Sequence, residues 1–137
     1  MLRLLPGLTI LAPADEMEVR SAVKAAVRHS GPVYMRIGKK GKPMVHKAEP
    51  PLTIGKAIPM RDGKDSCLLS TGTMLPIALA AADLLGQQGC SAAVFSVPTV
   101  KPLDEELLSD VFASLRYNEL RFGKVASFKT ECVAPVG

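Results

Sequence analysis

Apolar residues along this chain fall in short runs, and each run is separated from the next by helical spacing or by glycine and proline. The first run, Leu8 to Leu11, ends in Ala12-Pro13-Ala14-Asp15 and reads as a buried strand leaving a sheet. Asp15 is placed to cap a helix, and Glu18 three residues on completes a capping-box pattern. Valines and alanines at positions 19, 22, 23, 26 and 27 recur at helical spacing and predict an apolar face through about His29. Arg28 and His29 fall where the helix dipole favours positive charge. Ser30-Gly31-Pro32 stops that helix, and Val33 to Ile37 restarts as a strand. Strand, crossover helix and strand make one right-handed β-α-β unit of a parallel sheet.

From Gly38 to Pro51 the texture changes to glycine, proline and lysine, as in an interdomain linker. A second α/β pattern follows. Leu52–Ile58 and Ser66–Thr71 are predicted strands, with a tight reversal at Asp62-Gly63 between them. Met74 to Gln88 is a predicted helix, with Pro76 in its first turn and Gly89 closing it. Cys90 to Val97 is the next strand, Asp104 caps a further helix with an acidic first turn, and a last strand is expected at about Lys124 to Phe128. The expected fold class is therefore α/β, a mostly parallel sheet with crossover helices. Two parallel strands and one helix cannot bury both faces of a sheet. The opening unit must dock on its own second half, on a copy of itself or on another chain.

Composition narrows the classes. The 137 residues, 47% apolar and 22% charged, suit one modest domain or two small pieces and exclude a disordered chain. No apolar run has transmembrane length, and Met1 to Leu8 lacks the apolar core of a signal peptide. The net charge of +4 is concentrated at Arg36, Lys39, Lys40, Lys42 and Lys47, with Lys56, Arg61 and Lys64 following. Such a run serves as a solvated linker or meets a phosphorylated small molecule or partner acid. Nothing in it has the spacing of a nucleic-acid binder. Cys67, Cys90 and Cys132 form no CxxC pair and read as reduced thiols of a cytoplasmic protein, the first two as small buried hydrophobes. His29 and His46 have no ligand partners nearby in sequence, so no metal site is expected.

Two features could bind an anion. Ser70, Thr71, Gly72 and Thr73 lie at a strand end and helix start, where amides can hold an anion or simply turn the chain. Arg36 lies near the C-terminal end of a parallel strand, the edge where α/β folds place ligands, and suits either an anionic substrate or a surface ion pair. No nucleophile has a base beside it, and no phosphate loop occurs, so no catalytic residue is assigned.

Four segments in order, LPGLTILAPADEMEVRSAV, GPVYMRIGK, IGKAIPMRDGKDSCLLSTGTM and VFSVPTVKPLDEELL, resemble the transketolase family of thiamine-diphosphate enzymes. The resemblance is closest to the C-terminal chains of split transketolases and to the matching part of deoxyxylulose-phosphate synthases. Beta subunits of 2-oxo-acid dehydrogenases are also similar, but the arginine of YMRIGK favours the transketolase side. The resemblance implies that residues 1–38 are the terminal β-α-β unit of a pyrimidine-binding domain. It makes residues 39–51 a linker and residues 52–137 a truncated transketolase C-terminal-like domain. It makes Arg36 a contact to the substrate phosphate and Lys101 to Asp104 mostly architecture.

The family's activity is ketol transfer between phosphosugars, and the resemblance implies thiamine diphosphate and Mg2+ for a complete assembly. The glutamate that protonates the aminopyrimidine and the domain that holds Mg2+ and diphosphate have no counterpart in these residues. Glu16 and Glu18, in a capped helix, do not fill that role. At the other end Glu131 stands where the family has an acid, but Cys132 and Val133 follow it. The expectation is a chain inactive alone, with no coenzyme bound by itself. Its expected partner is itself, as a dimer, or a separate N-terminal transketolase-like chain, with phosphosugar bound once assembled and neither nucleic acid nor membrane involved. The alternatives are a non-catalytic domain that self-associates and one chain of a split enzyme.

Overall fold

The computed structural model describes residues 2–39 and 43–122. Strand β1 (Thr9–Leu11), helix α1 (Glu16–Arg28) and strand β2 (Val33–Met35) form the expected β-α-β unit, with β1 and β2 parallel. Asp15 caps α1 by accepting from the Glu18 amide at 3.0 Å, so the capping box read from sequence is present. Its return arm reaches one residue further back than usual: Glu18 Oε2 accepts from the Ala14 amide at 2.7 Å.

The second half supplies β3 (Ile58–Arg61), β4 (Ser66–Ser70), α2 (Leu75–Gln87), β5 (Ala92–Ser96), β6 (Thr99–Lys101) and α3 (Glu105–Phe122). Pro76 lies in the first turn of α2 as expected, and Gly89 follows its end at φ +82°. Asp104 accepts from the Leu107 amide at 3.3 Å and so caps α3; it also accepts from the Ala57 amide at 3.0 Å, tying the start of β3 to α3.

A mostly parallel sheet is not what forms. The described strands make two three-stranded mixed sheets, β2-β1-β6 and β3-β5-β4. The parallel pairs, β1 with β2 and β4 with β5, are those joined by a crossover helix. The antiparallel neighbours, β6 on β1 and β3 on β5, come from segments that need no crossover to reach an edge. Two local expectations also change. The strand expected at Leu52–Ile58 begins only at Ile58, and β3 and β4 do not pair across their turn because β5 lies between them. Thr99–Lys101, which ends on the first residue of the Lys101 to Asp104 segment expected to be mostly architecture, is strand β6. The strand expected at about Lys124 to Phe128, and Glu131, lie outside the described residues.

Alternation along β4 and β5 splits the core in two. Leu68, Ala92 and Val94 face α2 through Leu75, Ala78 and Ala82, while Cys67, Ala93 and Phe95 face α3 through Leu107 and Val111. Ala14 and Val45 join the α2 side of that core, and β6 completes the sheet of β1. The opening unit thus docks on its own second half. The connecting segment packs as well: Ser21 Oγ donates to the Pro50 carbonyl at 2.7 Å, and Lys24 pairs with Glu49.

The apolar face expected on α1 is reversed in part. Its buried residues are Glu18, Ser21 and Ala22, whereas Val23 is 46% and Val27 81% exposed. A glutamate turns inward because Ser96 and the Ala14 amide satisfy it there.

Candidate anion-binding cleft

Three strands of the two sheets end at one place. β1 runs into Ala12 and Pro13, β2 into Arg36 to Lys39, and β4 into Thr71 to Met74, and these ten residues line a cleft of about 480 Å³. Ligands of open α/β sheets sit at the carboxyl ends of the strands, because the chain leaves the sheet there in loops whose amides and side chains face one crevice. The backbone fixes the walls: the Arg36 amide donates to the Leu11 carbonyl at 2.8 Å, and the Ala12 amide to the Pro98 carbonyl at 2.7 Å.

The lining is one-signed. Arg36 and Lys39 contribute positive charge, and among the described residues no acidic one lines the cleft. Among the described residues no carboxylate pairs with Arg36, so the surface ion pair left open by the sequence is not seen. Across from Arg36, Gly72 to Met74 form a single 3-10 turn that leads into α2. Neither Thr71 nor Met74 caps that start with a side chain, and the Thr71 hydroxyl is buried without a hydrogen-bond partner. Gly72 has φ +57°, and a Cβ there would meet the Ala12 carbonyl oxygen at an ordinary contact distance of 3.6 Å. The cleft therefore has a guanidinium-bearing and an ammonium-bearing residue in its lining, the groups that suit an oxyanion.

Of the residues singled out from sequence, Arg36, Thr71, Gly72 and Thr73 come together here, although more than thirty positions separate Arg36 from the turn. Ser70 does not line the cleft; it is 2% exposed at the end of β4, and its hydroxyl has no partner. Lys39 was visible only as part of a basic run, and Ala12 and Pro13 only as a helix lead-in.

Behind the Ala12-Pro13 wall lies a buried polar cluster that sequence reasoning missed. Asp15 Oδ2 accepts from the Val45 amide at 2.9 Å and the His46 amide at 2.8 Å, and lies 3.1 Å from His46 Nδ1. His46 Nε2 lies 3.4 Å from Glu18 Oε1, which also accepts the Ser96 hydroxyl. Burial pushes the Asp15 carboxyl up, but the amides of Glu18, His46 and Val45 and the His46 ring outweigh it, and the group is held below the usual aspartate value. Glu18 goes the other way: burial dominates the opposing hydrogen bonds from Ser96 and Ala14 and raises it. The capping box gave a signal for Asp15 and Glu18; nothing adjacent to His46 gave one. Cys67 is inert, its thiol pushed up to about 11 by burial, while Cys90 is only half-buried beside the Ser66 hydroxyl.

The residues present do not fit thiamine diphosphate or its Mg2+. Glu18 is fully enclosed with both oxygens accepting, and no cluster of acids, histidines and cysteines among the described residues could hold a metal ion. No helix among the described residues is long and apolar enough to cross a membrane.

Mixed sheets with crossover helices define an α/β protein, and comparison with known proteins gives its family. Residues 55–117 match the family described as transketolase, C-terminal domain. The chain carries a C-terminal transketolase-family domain, related to split transketolase C-terminal chains and to deoxyxylulose-phosphate synthases. It is 40% identical over 106 residues to the 6-deoxy-6-sulfo-D-fructose transketolase subunit SqwH of Clostridium sp. (strain MSTE9), covering 77% of this chain and 33% of that protein. It is 35% identical over 135 residues to the 1-deoxy-D-xylulose-5-phosphate synthase of Synechococcus elongatus, covering 96% of this chain and 20% of that one. Among solved structures it is similar to a split-gene transketolase in an inactive beta4 tetramer, with a TM-score of 0.78 and 35% identity over 81% of this chain and 37% of the other. The chain thus spans a third or less of the length of these two curated relatives.

Proposed function

We propose that this chain forms the substrate-anion side of a thiamine-diphosphate-dependent ketol transferase, inactive by itself and completed by segments beyond these residues or by another chain. In this reading residues 1–38 are the closing β-α-β unit of a pyrimidine-binding domain and residues 52–137 a C-terminal domain. The single observation that carries the reading is the meeting of Arg36 with the Thr71–Thr73 turn in one cleft without acidic residues. The names of two relatives point the same way, since each contains a sugar with a terminal tetrahedral anion.

Arg36 presents a planar fork of N–H donors to such an anion, and Lys39 adds a point charge. The coenzyme's chemistry belongs to the other segments, and these residues bind and orient the sugar's charged end. A titration of the full chain with inorganic phosphate, followed by amide chemical shifts at residues 36–39 and 71–74, tests this. Arg36→Ala should weaken binding about 10- to 100-fold, the loss of a charge-assisted interaction of about 1.5–3 kcal/mol. Equal affinity in the variant, or no saturable shift in the wild type, would remove the assignment.

A second reading, self-association, is favoured by the exposed Val23 and Val27 and by β2, which among the described residues has a strand on one side only. The tetramer of the split-gene relative supports it. Native mass spectrometry of the chain at micromolar concentration should show dimers or tetramers that Val27→Lys reduces to monomers; monomers throughout would rule the second reading out.

A further inference from the structure

Besides the Ser21–Pro50 and Lys24–Glu49 ties further along, the connecting segment meets the start of α1 through a histidine between two carboxylates. His46 has a side chain 7% exposed, with Nδ1 3.1 Å from Asp15 Oδ2 and Nε2 3.4 Å from Glu18 Oε1. The backbone of the same segment hangs on the same oxygen, Asp15 Oδ2, through the Val45 and His46 amides. The other groups around the ring are few. The Ser96 hydroxyl at the end of β5 acts on it through Glu18, while on its own segment Lys47 is exposed and Glu49 is paired with Lys24.

The two ring nitrogens cannot both be satisfied by a neutral imidazole. A neutral ring carries one N–H, and an ionised carboxylate only accepts. With that N–H on Nδ1 toward Asp15, Nε2 turns a lone pair toward a Glu18 oxygen, and Nε2 has no other hydrogen-bond partner. The contact becomes attractive only when a proton lies between Nε2 and Glu18, on the ring or on the carboxyl.

We propose that this proton makes His46 a latch. With it, the segment is bolted to the first turn of α1; without it, two acceptors face each other and the segment lifts. Pro13, on one wall of the cleft, is followed two residues later by Asp15, and Lys39, on the other, is followed seven residues later by His46. The latch therefore ties together the continuations of both walls. Its effect on anion binding rests on the cleft reading above; the latch itself rests on the buried cluster alone. Because the latched state binds one proton more than the lifted state, it is favoured as pH falls and lost as pH rises.

The test is hydrogen exchange of the Val45 and His46 amides in the full chain between pH 5.5 and 8.5, corrected for intrinsic base catalysis. Wild-type protection at these two amides should fall about tenfold or more across the range, while that of Val94 in β5 stays constant. His46→Gln should lower protection and flatten it. Glu18→Gln provides the second variant, since its neutral amide can donate to Nε2 without a proton and the Ser96 hydroxyl can rotate to accept. Protection in that variant should stay high at pH 8.5. Wild-type protection independent of pH, or Glu18→Gln retaining the wild-type pH dependence, would overturn the latch. Phosphate failing to bind at both pH 5.5 and pH 8.5, with the exchange pattern as expected, would overturn the cleft reading and leave the latch standing.

Discussion

Gly63→Ala is expected to lower the melting midpoint by about 10 °C or more, the result of at least about 3 kcal/mol lost. A Cβ at this position would lie 2.0 Å from the Ala93 nitrogen and 2.1 Å from the Ala92 carbonyl carbon. Those atoms belong to β5, the central strand, which is paired on both sides by β3 and β4. They cannot yield without opening a ladder, so the reversal between β3 and β4 must lift off instead. Gly89→Ala is the control: at φ +82° it carries a conformational cost of about 1 kcal/mol, but its Cβ would meet nothing within 4 Å. Thermal and urea melts that place both variants within about 1 kcal/mol of each other would refute the close-approach argument.

The second large effect is expected at Asp15. Asp15→Ala removes the cap on the Glu18 amide and leaves the Val45 and His46 amides without an acceptor. One lost cap costs about 1 kcal/mol and each of the two unsatisfied donors about 1–3 kcal/mol, so a total of about 3–7 kcal/mol follows. Asp15→Asn, with one oxygen for two sets of donors, should fall between the alanine variant and the wild type.

The pH dependence should report the same cluster. Asp15 and Asp104 both have lowered values; for each, burial acts to raise the carboxyl and hydrogen bonds prevail. Their stabilisation is present above the ordinary aspartate value of 3.8 and is lost as pH falls through the folded values. Glu18, raised by burial, has the opposite sign. It takes a proton more readily in the folded chain, so stability declines as pH rises from its ordinary 4.5 through the folded value. Urea midpoints should therefore peak at weakly acidic pH, and Asp15→Asn should flatten the acid limb. An alanine variant within about 1 kcal/mol of wild type, or an unchanged acid limb in the asparagine variant, would show that the cluster does not hold the segment.

Much of the candidate site could be read from residues that act on their neighbours. Thr71 to Thr73 lie between an apolar run and a helical pattern, so their place at a strand end was legible, and Arg36 follows a strand directly. Their meeting was not legible, since it depends on how two separate sheets are set against each other. The same limit applied to Lys39, to the walls at Ala12 and Pro13, and to His46, whose partners are about thirty residues away on α1.

Local chemistry in the sequence was enough to determine the two β-α-β units, the caps at Asp15 and Asp104, and Pro76 and Gly89 at the ends of α2, because each depends on residues within one or two turns. The tertiary structure alone decided that β3 and β6 run antiparallel at sheet edges, that Glu18 faces inward while Val27 faces out, and that the connecting segment is pinned at His46. In each of these the deciding partner is distant in the chain: an open ladder edge, a serine at the end of β5, a carboxylate with free lone pairs. Periodicity records which face of an element is apolar, but only the assembled fold records what that face meets.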